Sequence, residues 1–357
     1  MQTCFKKELK DKYQFLQSIY KNALPEDKES ILRTLKTIES NLVNESIPGS
    51  IDILLELDYK ELIPSQFLWK PIKELARIKE PEETKQALNK LNLTFKDIID
   101  LLHDFFKLST PKNIYEIFEK VYKENKKSIR YINGENIDYS GEIIYLEYLK
   151  KFYIMGTKNN TLYDIMIFAH EFGHTIQFST NYNPTLFNEL NIYIEIISIF
   201  FELICNEHFI KGKFSKEANL NSYLTLSKYT ESIQNVFSEL TLLDIIKIKN
   251  GESNDILRQN IDELIALLSK ENINNIMNLR PARDYIYVIA YYFATNLFMI
   301  YKTDPEYAFY LVNKIMNLDL CLSKEEYFKR LQDIGITDVN KTKEYHDLIL
   351  TRYNKTI

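Results

Sequence analysis

Tyr163-Asp-Ile-Met-Ile-Phe-Ala-His-Glu-Phe-Gly-His-Thr-Ile-Gln177 is the run on which the reading of this chain turns. Residues four apart share one face of a helix, so His170 and His174 can present two imidazoles to one metal ion, with Glu171 beside it. His-Glu-x-x-His is the spacing at which zinc peptidases hold the ion and a general base. A catalytic zinc takes three protein ligands and keeps a fourth position for water, so a third ligand must come from elsewhere. Local signals support a helix here. Gly156, Asn159 and Asn160 mark a break, and Thr161 with Asp164 reads as a capping box that starts the helix near Thr161. Ile165, Phe168, Phe172 and Ile176 recur at helical spacing on the face away from the histidines, which would bury that side and hold the ligands still.

Downstream, Ser179-Thr-Asn-Tyr-Asn-Pro-Thr185 reads as a turn. A long apolar helix is predicted from about Leu186 to Phe209, carrying Glu189, Glu195, Glu202 and Glu207. A carboxylate on so apolar a helix is costly to bury unless it is paired or bound to a metal, which singles out Glu195 and Glu202. The segment after His174 is long enough for a turn and a returning helix, so Glu195 is the expected third ligand. Glu202, two turns further along the same face, would accept a hydrogen bond from a ligand histidine and orient it, or else pair with a lysine.

The 357 residues, with a net charge of −5, allow one large domain or two and show no basic patch for a nucleic-acid partner. Three widely spaced cysteines argue against a disulfide framework and for a reducing compartment. A charged N-terminus and the lack of a long apolar run lead to the expectation of a cytoplasmic protein without a membrane span. Residues 1–125 read as an N-terminal helical region: Phe5–Lys21, Lys28–Val43, Gln66–Lys79, Glu82–Leu91, Thr94–Phe106 and Lys112–Glu124 are amphipathic. Residues 126–357 form the expected catalytic region, opening with a small sheet around Ile143-Ile-Tyr-Leu and Phe152-Tyr-Ile-Met. The strand leading into the metal helix either offers an open edge to an extended peptide or simply covers the core. His103 and His208 read as packing residues, His208 as a cation near a helix C-terminus, and His346 as solvated.

Ala169-His-Glu-Phe-Gly-His174, Asp164 before it, and Glu195-Ile-Ile-Ser-Ile-Phe-Phe-Glu202 together resemble the oligoendopeptidase F and thimet oligopeptidase family of zinc peptidases. Arg280-Pro-Ala-Arg-Asp-Tyr-Ile-Tyr-Val-Ile-Ala-Tyr-Tyr-Phe-Ala-Thr295 is similar to that family's C-terminal tyrosine-rich helix, and Tyr327-Phe-Lys-Arg-Leu-Gln-Asp-Ile-Gly-Ile336 to its closing helix. The resemblance covers roughly residues 140–357. It implies a mostly α, zincin-type fold with a small sheet beside the active-site helix. It also implies one zinc per chain on His170, His174 and Glu195, with Asp164 and Glu202 supporting the ligands. Gln177 stands where the family has a further histidine, Arg283 stands at its substrate-contacting histidine, and the region before the motif is shorter than the family's roof over the cleft.

The implied chemistry is zinc-dependent hydrolysis of oligopeptides or of a peptide precursor such as a leader or propeptide. Glu171 would be the base that activates water. Tyr291 matches a family tyrosine that serves the oxyanion; Tyr287 and Arg283 precede it at four-residue steps on one face. Arg283 would favour an acidic side chain or free carboxylate near the cut. Two other readings stay open: a carboxypeptidase-type exopeptidase, with Arg280 or Arg283 gripping a terminal carboxylate, and a family member that binds peptides without cutting them.

Overall fold

A computed structural model describes residues 91–133, 141–146, 151–180, 194–249, 283–318 and 324–356, with isolated helical positions between 13 and 84. The helices predicted before residue 82 therefore lie almost wholly outside the described residues, as does Leu186–Tyr193. Cα packing divides the chain into two compact units, residues 1–77 with 230–288 and residues 78–229 with 289–357. The second unit holds the His-Glu-x-x-His motif and is mostly helical, with one small sheet.

It begins with helices α1 (Phe95–Ser109) and α2 (Lys112–Asn125). Thr94 caps α1 in a capping box with Asp97: the Asp97 amide donates to Thr94 Oγ1 and the Thr94 amide to Asp97 Oδ2. Asn125 ties the end of α2 to the sheet, because its Oδ1 accepts the Phe152 amide at 2.8 Å while its Nδ2 donates to the Val121 carbonyl. Three strands follow, β1 (Ile129–Asn133), β2 (Gly141–Leu146) and β3 (Lys151–Lys158). Their order is β1-β3-β2, with β1 parallel to β3 (Ile129 opposite Ile154) and β2 antiparallel to it (Gly141 opposite Gly156). Of the two readings of the strand before the His-Glu-x-x-His helix, the structure bears out the one that covers the core: β3 is central and paired on both sides, so it offers no open edge, and Phe152–Thr157 are buried. Among the described residues the free edge nearest the helix belongs to β2.

Helix α3 (Tyr163–Thr180) packs on that sheet, and α4 (Ile194–Ile210) packs on α3. Phe106, Phe118, Phe172 and Phe201, one from each of α1 to α4, form a continuous ring cluster: Phe106 stacks on Phe118 at 4.2 Å, Phe118 meets Phe172 edge-on at 4.8 Å and Phe106 meets Phe201 at 5.5 Å. This packing places α1 and α2 in the same compact unit as the metal helix, although the sequence reading draws a boundary after residue 125. His103 lies between Phe118 and Tyr122, with its Nδ1 2.6 Å from Glu119, a packing histidine as expected.

The C-terminal part comprises α5 (Ser215–Lys249), α6 (Arg283–Thr303), α7 (Pro305–Met316), α8 (Lys324–Ile334) and α9 (Val339–Thr356). Gly335, with φ +84, ends α8 in the left-handed conformation that glycine adopts without strain. Glu207 on α4 is buried and receives both Arg352 of α9, as a fork at 2.6 and 3.1 Å, and Lys302 of α6. Burial opposes ionisation of Glu207, but Arg352 and Lys302 outweigh it and hold the carboxyl below its usual range. His208 is neutral rather than the expected cation: burial lowers its pKa, and Nδ1 lies 2.8 Å from Ser109 Oγ. His346 is not solvated. It is 5% exposed, because α9 turns that face inward and the ring stacks on Tyr291 at 6.0 Å. No described helix is long and apolar enough to cross a membrane.

Two outcomes are expected in denaturant titrations. Glu207→Gln leaves two cations facing a neutral amide in a buried place and should cost about 3 kcal/mol; because Glu207 has a depressed folded pKa, its contribution is present at neutral pH and disappears as pH falls through the acidic range. Burial drops the His346 pKa to about 3 from 6.5, so between those values the unfolded chain binds a proton that the folded chain does not. The parent should therefore lose stability from pH 6.5 to 5 more steeply than His346→Leu, by at most about 1.4 kcal/mol per pH unit.

Candidate metal centre

Helix α3 presents His170, Glu171 and His174, and it is buried along almost its whole length. Its start is built differently from the expected capping box. Thr161 Oγ1 accepts the Tyr163 amide at 3.3 Å, but Asp164 reaches further back, accepting the amides of Asn159 and Asn160, both at 2.9 Å, and the Tyr131 hydroxyl at 2.5 Å. Asn160 makes this possible by adopting a positive φ of 60, which folds the preceding amides over the carboxylate. All of these bonds anchor the helix to β1 and to the incoming loop; none goes to a ligand histidine.

Two glycines set the spacing around the motif. A Cβ at Gly173 would lie 2.8 Å from the Ser198 Cα, so its absence lets α3 and α4 meet backbone to backbone. A Cβ at Gly141 would lie 2.5 Å from Glu171 Oε1, so the bare backbone of β2 leaves the space that the Glu171 carboxylate fills.

Across the α3–α4 contact, Glu195 Oε2 stands 3.1 Å from His170 Nε2 and 3.5 Å from His174 Nε2. One ligand atom from each residue can be chosen so that all three lie within 4.8 Å of one another. Tetrahedral zinc with bonds of about 2.1 Å separates neighbouring ligand atoms by about 3.4 Å, so the spacing and the donor set of two imidazoles and a carboxylate both fit that ion. Ser198 Oγ donates to the Glu195 carboxylate at 3.1 Å as well as to its backbone carbonyl at 3.0 Å, fixing the rotamer of Glu195. Glu202 Oε2 lies 3.3 Å from His170 Nδ1, on the far side of the ring from Glu195.

Charge in this cluster calls for a cation. Burial would lower the His170 pKa, but hydrogen bonds from its ring to Glu195 and Glu202 more than reverse that and hold it well above the ordinary value. Burial would likewise raise Glu195, but His174 and His170 hold it well below its usual range. His174 is lowered by burial and stays neutral, as a metal ligand must. Burial, with Glu195, Glu142 and Glu202 close by, pushes Glu171 up to about 8. A divalent ion among these groups would lower it again, toward the ionised form that a base requires.

Tyr291 lies on α6, fully buried, stacked on Tyr229 at 4.1 Å, and its hydroxyl has no hydrogen-bond partner. Tyr287 is half-buried on the same helix, and the Arg283 side chain, Arg280 and Glu189 lie outside the described residues. Sequence reasoning missed the roles of Ser198, Gly173 and Gly141. Ser198 left a trace as a lone hydroxyl in an Ile and Phe run, whereas the glycines act through contacts with distant residues that no local pattern encodes.

Neither a comparison with protein-family models nor one with curated proteins returns a match. Among solved structures the chain is similar to a protein assigned as a peptidase from Chlamydophila abortus (TM-score 0.61, 14% identity, 97% of this chain and 63% of that one). It is also similar to PZ peptidase A, solved with an inhibitor (TM-score 0.54, 14% identity, 96% and 67%), and to a protein assigned as an oligoendopeptidase F from Bacillus anthracis strain Ames (TM-score 0.50, 14% identity, 96% and 64%). The chain thus has the fold of these proteins while spanning about two thirds of their length.

Metal analysis of purified protein should find about one zinc per chain. His170→Ala/His174→Ala should abolish binding and Glu195→Gln should weaken it, whereas no zinc in the parent after incubation with the ion would refute the site.

Proposed function

We propose that this chain is a zinc-dependent peptidase, an endopeptidase that hydrolyses oligopeptides or a peptide precursor. The observation that carries this reading is the partly buried cluster in which His170, His174 and Glu195 bring three zinc-type ligand atoms together while Glu171 stands beside them outside the ligand set. The likeness in fold to proteins described as peptidases supports the same reaction class.

When bound, zinc supplies an acidified water and a Lewis acid for the scissile carbonyl. Glu171, beside the proposed ligands but outside the ligand set, would take the proton of the attacking water and deliver it to the departing amine. Glu202, through His170 Nδ1, holds that imidazole with Nε2 toward the ion. The Tyr291 hydroxyl, buried and without a partner, is the group proposed to donate to the oxyanion. An extended peptide laid along the free edge of β2 would pass Gly141, and therefore Glu171; strand addition of this kind accommodates chain on both sides of the cut, which favours endopeptidase action.

A quenched peptide library, with and without chelator and mapped by mass spectrometry, tests the reading. Glu171→Gln should retain zinc and lose at least ~100-fold in kcat/KM. Gly141→Ala should do the same by pushing the Glu171 carboxylate aside. Chelator-insensitive cleavage, or full activity in Glu171→Gln, refutes the mechanism; cuts confined to the C-terminal residue would instead make the enzyme a carboxypeptidase.

A further inference from the structure

His174 and Gln177 are both on α3, three residues apart, and 5% and 2% exposed respectively. His174 Nδ1 and Gln177 Oε1 are each buried without a hydrogen-bond partner. The two deficits are complementary. Nε2 of His174 faces Glu195 Oε2 and is the ligating atom, which leaves Nδ1 to carry the proton of the neutral ring and to act as a donor. Gln177 Oε1 can only accept. Positions three apart on a helix are neighbours, and helical side chains lean toward the N-terminus, which puts His174 within reach of the Gln177 amide. Phe178 stacks on the His174 ring at 6.2 Å, and with the ring buried, water is a poor substitute for a protein acceptor.

We infer that Gln177 is the positioning residue for His174: when metal is bound, its side-chain carbonyl turns to accept the Nδ1 proton and so fixes the tautomer and ring orientation with which Nε2 meets the metal. Glu202 does the equivalent for His170 from a different helix, as an anion. The two ligand histidines are thereby supported unequally, one by a carboxylate and one by a neutral amide. The inference rests on the metal site proposed above. Gln177 touches no reacting atom and acts only through the ligand.

The test is zinc affinity, measured by chelator competition at fixed pH on the parent and on Gln177→Leu, Gln177→Met and Gln177→Glu. Circular dichroism and melting of the metal-free forms confirm folding. Leucine and methionine keep the bulk and remove the acceptor, so both should bind zinc 10- to 100-fold more weakly, as is usual when the acceptor behind a metal-bound histidine is lost. Their metal-free melting temperatures should hold or rise, because an unpartnered buried oxygen has gone. Glutamate restores an acceptor and should bind at least as tightly as the parent. In nitrogen-edited NMR of the zinc-loaded parent, the His174 Nδ1 proton should be protected from exchange, and in Gln177→Leu it should not. Equal zinc affinity in the parent, the leucine variant and the methionine variant overturns the inference, as does a glutamate variant as weak as leucine. If leucine alone fails to fold, methionine decides. A parent that binds no zinc overturns the metal site itself, a result distinct from any difference among the variants.

Discussion

Carboxylates on an apolar helix have to be answered by positive charge or by N–H donors, and α4 places three of them in a largely buried setting: Glu195, Glu202 and Glu207. Each is answered from a different part of the chain. Glu195 faces both histidines of α3, Glu202 faces the outer nitrogen of His170, and Glu207 takes Arg352 from α9 and Lys302 from α6. Hydrophobic packing brings these helices together without specifying their register closely. The paired charges do specify it, because a slip of one residue along α4 would leave a carboxylate facing Ile or Phe. One helix therefore ties down C-terminal elements and shapes the candidate metal centre.

The parts of this arrangement that sequence reveals are those that are local or strongly periodic. His170, Glu171 and His174 stand at a spacing that only a helix makes sense of, and Glu195 and Glu202 are conspicuous because so little around them is polar. The extent of α1 and the strands β2 and β3 are likewise written in short patterns. What escapes is tertiary. Asp164 does pair with the loop before it, but with Asn159 and Asn160 rather than Thr161, since the left-handed Asn160 redirects the chain. His346 sits among polar residues in sequence and among tyrosine rings in space. The strand before α3 has no open edge because β1 and β2 take both its sides, and its pairing with β1 joins residues far apart in the chain.

Among the described residues five buried side-chain polar atoms have no partner: His174 Nδ1, Gln177 Oε1, Asn219 Oδ1, Tyr291 Oη and His346 Nε2. Such groups cost stability, about 1–3 kcal/mol each, and are uncommon in folded proteins. His174 and Gln177 lie in α3 itself, and Tyr291 senses the charge of Glu202, so three of the five lie close to the candidate centre in sequence or in electrostatic coupling. A site that must respond to an ion and a substrate keeps some of its hydrogen-bonding capacity in reserve; a region built only for packing has no reason to.

The glycine at position 173 bears on which ions the centre can take. With no side chain there, the backbones of α3 and α4 touch, and the distance from the two imidazoles to Glu195 is set by that hard contact rather than by adjustable side-chain packing. The bite of the site is consequently narrow and stiff. Calcium, which needs six to eight oxygen ligands at about 2.3–2.6 Å, would have to push the helices apart and would find two nitrogens where it wants oxygen. A metal held at this candidate centre would thus be discriminated by radius through a helix-to-helix contact, made by the residue next to the proposed ligand His174.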